Sequence, residues 1–368
     1  NKMIFWSVFL TALIATAILT PAAIWLAPKI GGVDIPKDNR RIHTRPVPRV
    51  GGIAIFIGVT LSIGIILAKD NMQLTGILIG GAIIFILGLI DDLKNLPPVV
   101  KLLGQIAAAA VVYGFGTKIE FMRYLFSMDK QFVPEIAACI ITIIWLVGIT
   151  NAVNLIDGMD GLAAGVVAIA SCCIAYVAYI HGTYHQCLPM LAVAGGALGF
   201  LPFNFYPAKT FMGDCGSQFL GFMIAAISIM GLVKSATVVA LVIPLLVLGL
   251  PVFDTAYAIL RRLIRHKPIM EADKEHIHHR FLKSGMGQRR SVLCMYGICA
   301  IMGTAAVLLS RQLYVEAIGL CVIALAYIYI VITDRNHTVP AIVEEVKKDV
   351  EEAVAKHRGE TDEDTDIK

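Results

Sequence analysis

Charged residues are scarce: 16% of the 368 amino acids against 57% that are hydrophobic, too few ionic groups to clothe a soluble globule of this length. An ordinary soluble enzyme is thereby excluded, and the chain reads as an all-α polytopic membrane protein. Cysteine pairs at metal-binding spacing are also missing. The eight cysteines are scattered, mostly within apolar runs, and form no C-x-x-C pair, which leaves neither a zinc site nor a disulfide framework. Even the adjacent Cys172 and Cys173 read as small hydrophobes in helix packing. Net charge is only +4, so the placement of the positive residues carries more information than their sum.

A hydrocarbon core about 30 Å thick takes roughly 20 apolar residues at 1.5 Å each. About eleven stretches approach or meet that length: 3–27, 49–68, 73–90, 99–117, 133–150, 160–181, 187–203, 216–233, 236–258, 291–310 and 313–333. The first is too long, and too poor in a small-residue cleavage site, for a signal peptide. If the stretches alternate across the bilayer, one set of loops collects most of the lysine and arginine, from Lys29 and Arg49 through Lys94, Lys101 and Lys209 to the dense group at 261–290. Positive loops stay inside, which predicts an external N-terminus and a cytoplasmic C-terminus. Residues 1–336 then form the membrane domain. Residues 337–368 form a cytoplasmic tail, amphipathic and then acidic, and partly disordered.

The same assignment sends four polar clusters to the cytoplasmic side. Asp91 and Asp92 close the third stretch, where two adjacent carboxylates repel each other and oppose the helix macrodipole. Simple solvation at the membrane edge is one reading of that pair; a cation or a phosphate-bearing substrate is the other. Asn151, Asn154, Asp157 and Asp160 recur every three residues, with Gly158 and Gly161 permitting a sharp break. Asx-turn chemistry explains one or two of these but not all four. Asn204, Lys209, Phe211, Asp214 and Ser217 follow, with Gly213 and Gly216 flanking the acid near the start of a helix. Phe211 suits stacking on a base or anchoring at the interface. His276, His278, His279 and Arg280 make H-I-H-H-R, a spacing unlike zinc sites and better suited to phosphate oxygens.

D-D-L-K-N at 91–95, N-A-V-N-L-I-D-G-M-D-G-L at 151–162, P-A-K-T-F-M-G-D-C-G-S at 207–217 and H-I-H-H-R at 276–280 resemble the polyprenyl-phosphate N-acetylhexosamine-1-phosphate transferases. The likeness runs from about residue 29 to 333. Its histidine-rich loop looks like the branch that initiates common antigen, O-antigen or teichoic acid. The resemblance implies a cell-envelope enzyme of the bacterial inner membrane, working at the cytoplasmic face and moving sugar-1-phosphate from a UDP-sugar to undecaprenyl phosphate with release of UMP. UDP-GlcNAc is the implied donor, with UDP-GalNAc or UDP-MurNAc-pentapeptide as alternatives.

By matched position, the resemblance gives Asn154 and Asp214 to Mg2+, with Mn2+ as a substitute, and places Asp157 and Asp160 in the same pocket. Asp91 would orient or deprotonate the lipid phosphate beside Asp92 and Lys101. Asn204 and Phe211 would meet uracil; His276, His278, His279 and Arg280 would hold diphosphate and sugar. Membrane lipid is an expected partner, nucleic acid is not, and a homodimer is compatible. An ion-coupled secondary transporter is the competing class, since membrane aspartates and broken helices also build ion pathways. It predicts acids near the midplane and matched inverted repeats, whereas the acids here gather at one face and no clear repeat is visible.

Overall fold

A computed structural model describes residues 2–35, 46–66, 71–119, 135–232, 239–264, 281 and 287–333. Its helices, in order, are α1 Lys2–Ile30, α2 Gly52–Ile66, α3 Met72–Lys94, α4 Pro98–Gly114, α5 Glu135–Ile156, α6 Leu162–Ile180, α7 Tyr184–Asn204, α8 Gly213–Leu232, α9 Val239–Val247, α10 Gly249–Ile264, α11 Gln288–Ser310 and α12 Tyr314–Thr333. Among the described residues, each of the eleven apolar stretches falls largely on helix. The ninth is divided at Leu248, where Pro251 lacks the N–H that would continue the ladder back to Val247. Seven helices among the described residues are long and apolar enough to cross a membrane, and four further apolar helices are shorter, which makes this an all-helical polytopic membrane protein. The calls at His276, His278, His279 and Arg280, and the tail at 337–368, lie outside the described residues.

Local chemistry explains where the helices that carry the site begin and end. Asn71 accepts a hydrogen bond from the Leu74 N–H at 3.0 Å and so caps the start of α3. Asn95 ends that helix in the left-handed region at φ 50°, and Pro98 opens α4 at a position that needs no N–H. Gly161 takes φ +80° and turns the chain from the 157–161 loop into α6.

α8 is the axis of the bundle. Of residues Gly213–Met230, 89% are buried, against 22% along the most apolar part of the peripheral α1, and α8 packs on α2, α3, α5, α6, α7 and α9. Small residues permit this. A Cβ added at Gly88 of α3 would lie 2.6 Å from both the Asp214 carbonyl oxygen and the Cys215 Cα, so the two backbones touch where α8 begins. A short antiparallel pair, β1 Val33–Asp34 with β2 Val47–Pro48, leads into the same place. There the Phe211 N–H donates to the Pro48 carbonyl at 2.7 Å, and the Gly51 and Gly52 N–H groups donate to the Phe211 and Met212 carbonyls at 3.0 and 2.9 Å.

Gly88→Ala is therefore expected to push α3 off α8 and destabilise the protein by about 1–3 kcal/mol, whereas Gly114→Ala, with open space around it, should be near neutral. Thermal unfolding of the detergent-solubilised variants checks this; equal midpoints would refute the close approach.

Candidate active site

Three of the four polar clusters meet at the ends of α3, α4, α5, α7 and α8. Lys101, one turn into α4, donates to Asp91 Oδ2 at 2.8 Å and lies 3.4 Å from Asp214 Oδ2. The other Asp91 oxygen accepts from the Leu96 N–H at 2.6 Å. Asn154 of α5 donates through Nδ2 to Asp214 Oδ1 at 3.0 Å and to Ser217 Oγ at 2.8 Å. Asp214 thus sits between a cation from α4 and an amide from α5, a proximity of residues 60 to 113 positions apart in sequence. Lys101 is only about a quarter exposed, and two acids engage it, so one of its three N–H donors is left for an incoming anion.

Asp92 is placed differently from its neighbour. Its two oxygens accept from the backbone N–H groups of Asp214 and Cys215 at 2.9 and 3.0 Å, so it closes the open N-terminus of α8 from another helix. Arg49 in turn donates to the Asp92 backbone carbonyl at the end of α3. Asp92, expected as a catalytic residue beside the lipid phosphate, has both carboxylate oxygens on the backbone that carries Asp214. Asn204, expected against uracil, is buried and fully engaged: its Oδ1 accepts from the Gly161 N–H at 3.1 Å and its Nδ2 donates to the Thr210 carbonyl at 3.0 Å. Asp160 Oδ2 accepts from the Ala208 N–H at 2.9 Å. Together these two pin the 205–212 loop to the 157–161 loop, and Tyr296 of α11 donates to the Gly161 carbonyl from the far side. Phe211 is half-buried.

Asp157 is the acid without a hydrogen-bonded side chain among the described residues. Burial pushes its carboxyl well above the usual carboxylate range, and the charges of Asp214, Asp92 and Asp160 push it the same way. Among the described residues, five carboxylates gather here with Lys101 and Arg49 in hydrogen-bond contact, so the donor set is oxygen-rich. No three acidic, histidine or cysteine side chains among the described residues form a complete metal-binding group. A Mg2+ ion here would have only a partial protein shell, from Asp214 and the Asn154 side-chain oxygen, and would need substrate phosphates to complete it. Sequence reading missed Arg49, Gln105, Gln218 and Tyr296 as parts of this region; the last three are polar groups within the largely apolar stretches of α4, α8 and α11.

Residues 74–232, which hold every described acid of the site, match the family described as glycosyl transferase family 4. A Bacillus subtilis (strain 168) protein named a probable undecaprenyl-phosphate N-acetylglucosaminyl 1-phosphate transferase is 41% identical over 301 residues, covering 82% of this chain and 84% of the relative. The chain belongs to the polyprenyl-phosphate N-acetylhexosamine-1-phosphate transferases. A decaprenyl-phosphate N-acetylglucosaminephosphotransferase of Mycobacterium tuberculosis (strain ATCC 25618 / H37Rv) is 34% identical over 347 residues, 86% of each chain. A phospho-N-acetylmuramoyl-pentapeptide-transferase of Moorella thermoacetica is 32% identical over 327 residues, 81% of this chain and 96% of the relative. Membership in this transferase family makes the protein an enzyme and removes the secondary-transporter reading.

The raised Asp157 carboxyl has a sign that can be tested. Its folded form holds a proton that the unfolded chain has released above about pH 4, so it lowers the stability of metal-free transferase progressively as pH rises from there towards the folded value. Asp157→Asn, which mimics the protonated acid, should raise the thermal midpoint in EDTA, and by more at pH 8 than at pH 5. A difference independent of pH would show that Asp157 is not destabilised in this way.

Proposed function

We propose that this protein transfers N-acetylglucosamine-1-phosphate from UDP-GlcNAc to undecaprenyl phosphate and releases UMP, at the cytoplasmic face of a bacterial inner membrane crossed by eleven spans with the N-terminus outside. The observation that carries the reading is the junction of Asp91, Lys101, Asp214 and Asn154, which gathers one cation and several side-chain oxygens at the helix ends. The names of the Bacillus and Mycobacterium relatives support N-acetylglucosamine over a muramyl donor, since the muramyl-transferring relative shares less identity.

In this reading an oxygen of the lipid phosphate attacks the β-phosphorus of the nucleotide sugar. The bond from that phosphorus to the bridging oxygen breaks, and its electron pair leaves with UMP. Mg2+ held by Asn154 and Asp214, when bound, supplies Lewis-acid stabilisation of the charge developing on the diphosphate. Lys101 binds the lipid phosphate, and Asp91 holds the Lys101 ammonium in place through its 2.8 Å contact. A phosphate monoester has a second pKa near 6 and is largely dianionic at neutral pH, so Asp91 has little proton to remove. Asp157 lines the pocket beside Asp214, and Phe211 offers a face for uracil. Asn204 and Asp160 keep the wall rigid while the donor enters. His276, His278, His279 and Arg280 hold the diphosphate and sugar. The polyprenyl tail stays in lipid, which accounts for acids gathered where helices end.

Purified protein with undecaprenyl phosphate, Mg2+ and UDP-GlcNAc should release UMP, with UDP-GalNAc and UDP-MurNAc-pentapeptide giving slower turnover; EDTA should abolish release and Mn2+ restore part of it. Release of UDP, or turnover without the lipid, would overturn the proposal. Asp91→Asn should lower kcat at every pH from 6 to 9, because it loosens Lys101. Recovery of wild-type kcat above pH 8 would instead make Asp91 a base.

A further inference from the structure

One turn deeper than the acids lies a second polar layer. Gln105 of α4 and Asn151 of α5 face each other in a two-way amide pair: Asn151 Nδ2 donates to Gln105 Oε1 at 2.7 Å, and Gln105 Nε2 donates to Asn151 Oδ1 at 3.3 Å. The same Gln105 Nε2 donates to Gln218 Oε1 of α8 at 3.0 Å. Gln105 is 3% exposed and Gln218 1%, and Asn151 Nδ2 also donates to the Val147 carbonyl of its own helix at 2.8 Å. The register is the informative part. Gln105 lies four residues after Lys101, Gln218 four after Asp214, and Asn151 three before Asn154, so each amide sits on the same helical face as one member of the junction above it.

We propose that Gln105, Asn151 and Gln218 are positioning residues for catalysis, an amide clasp that fixes the mutual spacing of α4, α5 and α8 so that Lys101, Asn154 and Asp214 converge. The proposal rests on the reading of that junction as the reacting site. Three helices carrying long apolar faces have little to set their relative depth, because lipid-facing and helix-facing apolar surface are nearly equivalent in a membrane. Directional amide bonds supply that setting. A slip of α4 by a fraction of a turn would carry Lys101 away from Asp214 and stretch its contact with Asp91, which stays on α3 beside the Asp92 that holds the start of α8. The reaction tolerates such a slip poorly, since misplacement by about 1 Å costs on the order of a hundredfold in rate.

The test uses full-length protein in nanodiscs. Gln218→Leu and Gln105→Leu should each lower kcat about a hundredfold while the UDP-GlcNAc KM stays within about threefold, because ground-state binding needs the pocket walls and turnover needs the junction. The double variant should be no worse than either single one, the signature of residues acting as a unit. Replacing all three, with Gln105→Leu, Asn151→Leu and Gln218→Leu together, leaves no buried amide unpaired and should restore the thermal midpoint without restoring kcat. A wild-type kcat in Gln218→Leu, losses that multiply in the double variant, or activity that returns with stability in the triple variant would each overturn the clasp.

Hydrogen exchange gives a readout independent of turnover. Gln218→Leu should speed exchange at 98–104 and 150–156, which carry no substitution, as well as at 212–218. Faster exchange confined to 212–218 would show that α8 is not tied to its neighbours through this layer. If wild-type protein releases no UMP with any donor, the function proposed above fails, and the exchange data alone decide whether the clasp exists.

Discussion

The contact of the Asp92 carboxylate with the first N–H groups of α8 is the constraint on which the site depends. An acid at the C-terminal end of α3 is unfavourable, because the helix dipole there is already negative, and a second acid beside it is worse. The fold relieves each by a different partner. Lys101 neutralises Asp91, and the positive N-terminal end of α8 receives Asp92. Both reliefs require α3, α4 and α8 to meet at one point, and the bare Cα of Gly88 lets α3 approach closely enough. Once that point is fixed, Asp214 has no freedom of position: its own backbone N–H is one of the two that Asp92 holds.

A division of labour among the acids follows. Asp92 and Asp160 spend carboxylate oxygens on backbone N–H groups, which organise the start of α8 and the 205–212 loop. Asp91 holds a cation. Asp214 is shared between Lys101 and Asn154, and Asp157 has no hydrogen-bonded partner among the described side chains. Asp91, Asp157 and Asp214 therefore lie close together on a backbone that Asp92, Asp160 and Arg49 hold in place. With Mg2+ bound as proposed, that rigid wall would keep Asp214 and Asn154 in place for the ion.

Much of this was legible in the sequence, and the limits have a physical cause. Eleven apolar stretches appear because burial in lipid demands length, and length survives in one dimension. Convergence of Asp91, Asn154 and Asp214 was legible because polar groups recur at the same side of alternating spans. The partner of each acid was not. Nothing in D-D distinguishes the carboxylate that will meet Lys101, ten residues on, from the one that will meet the Asp214 N–H, 122 residues on. Asn204 was read as a uracil contact for the same reason: an amide signals hydrogen bonding but not its target, and here the target is the chain's own turn at Gly161. Gln105 and Gln218 lie one turn inside Lys101 and Asp214 on separate helices, and only the fold shows that they meet.

The order of polarity along α4, α5 and α8 argues why the second layer consists of amides and not of further charges. Ionised side chains sit at the helix ends, where water and unsatisfied backbone groups can stabilise them. One turn deeper, a charge would lack both, and its desolvation would exceed what a single partner returns. An amide is neutral and carries donors and an acceptor together, so Gln105 can serve two neighbours at once within the apolar bundle. Below this layer the facing residues of α8, such as Phe222, Met223 and Ala225, are apolar and fully buried. The bundle thus passes from charge to dipole to hydrocarbon within a few turns, and each layer holds the one above it in register at the lowest polarity that can still specify direction.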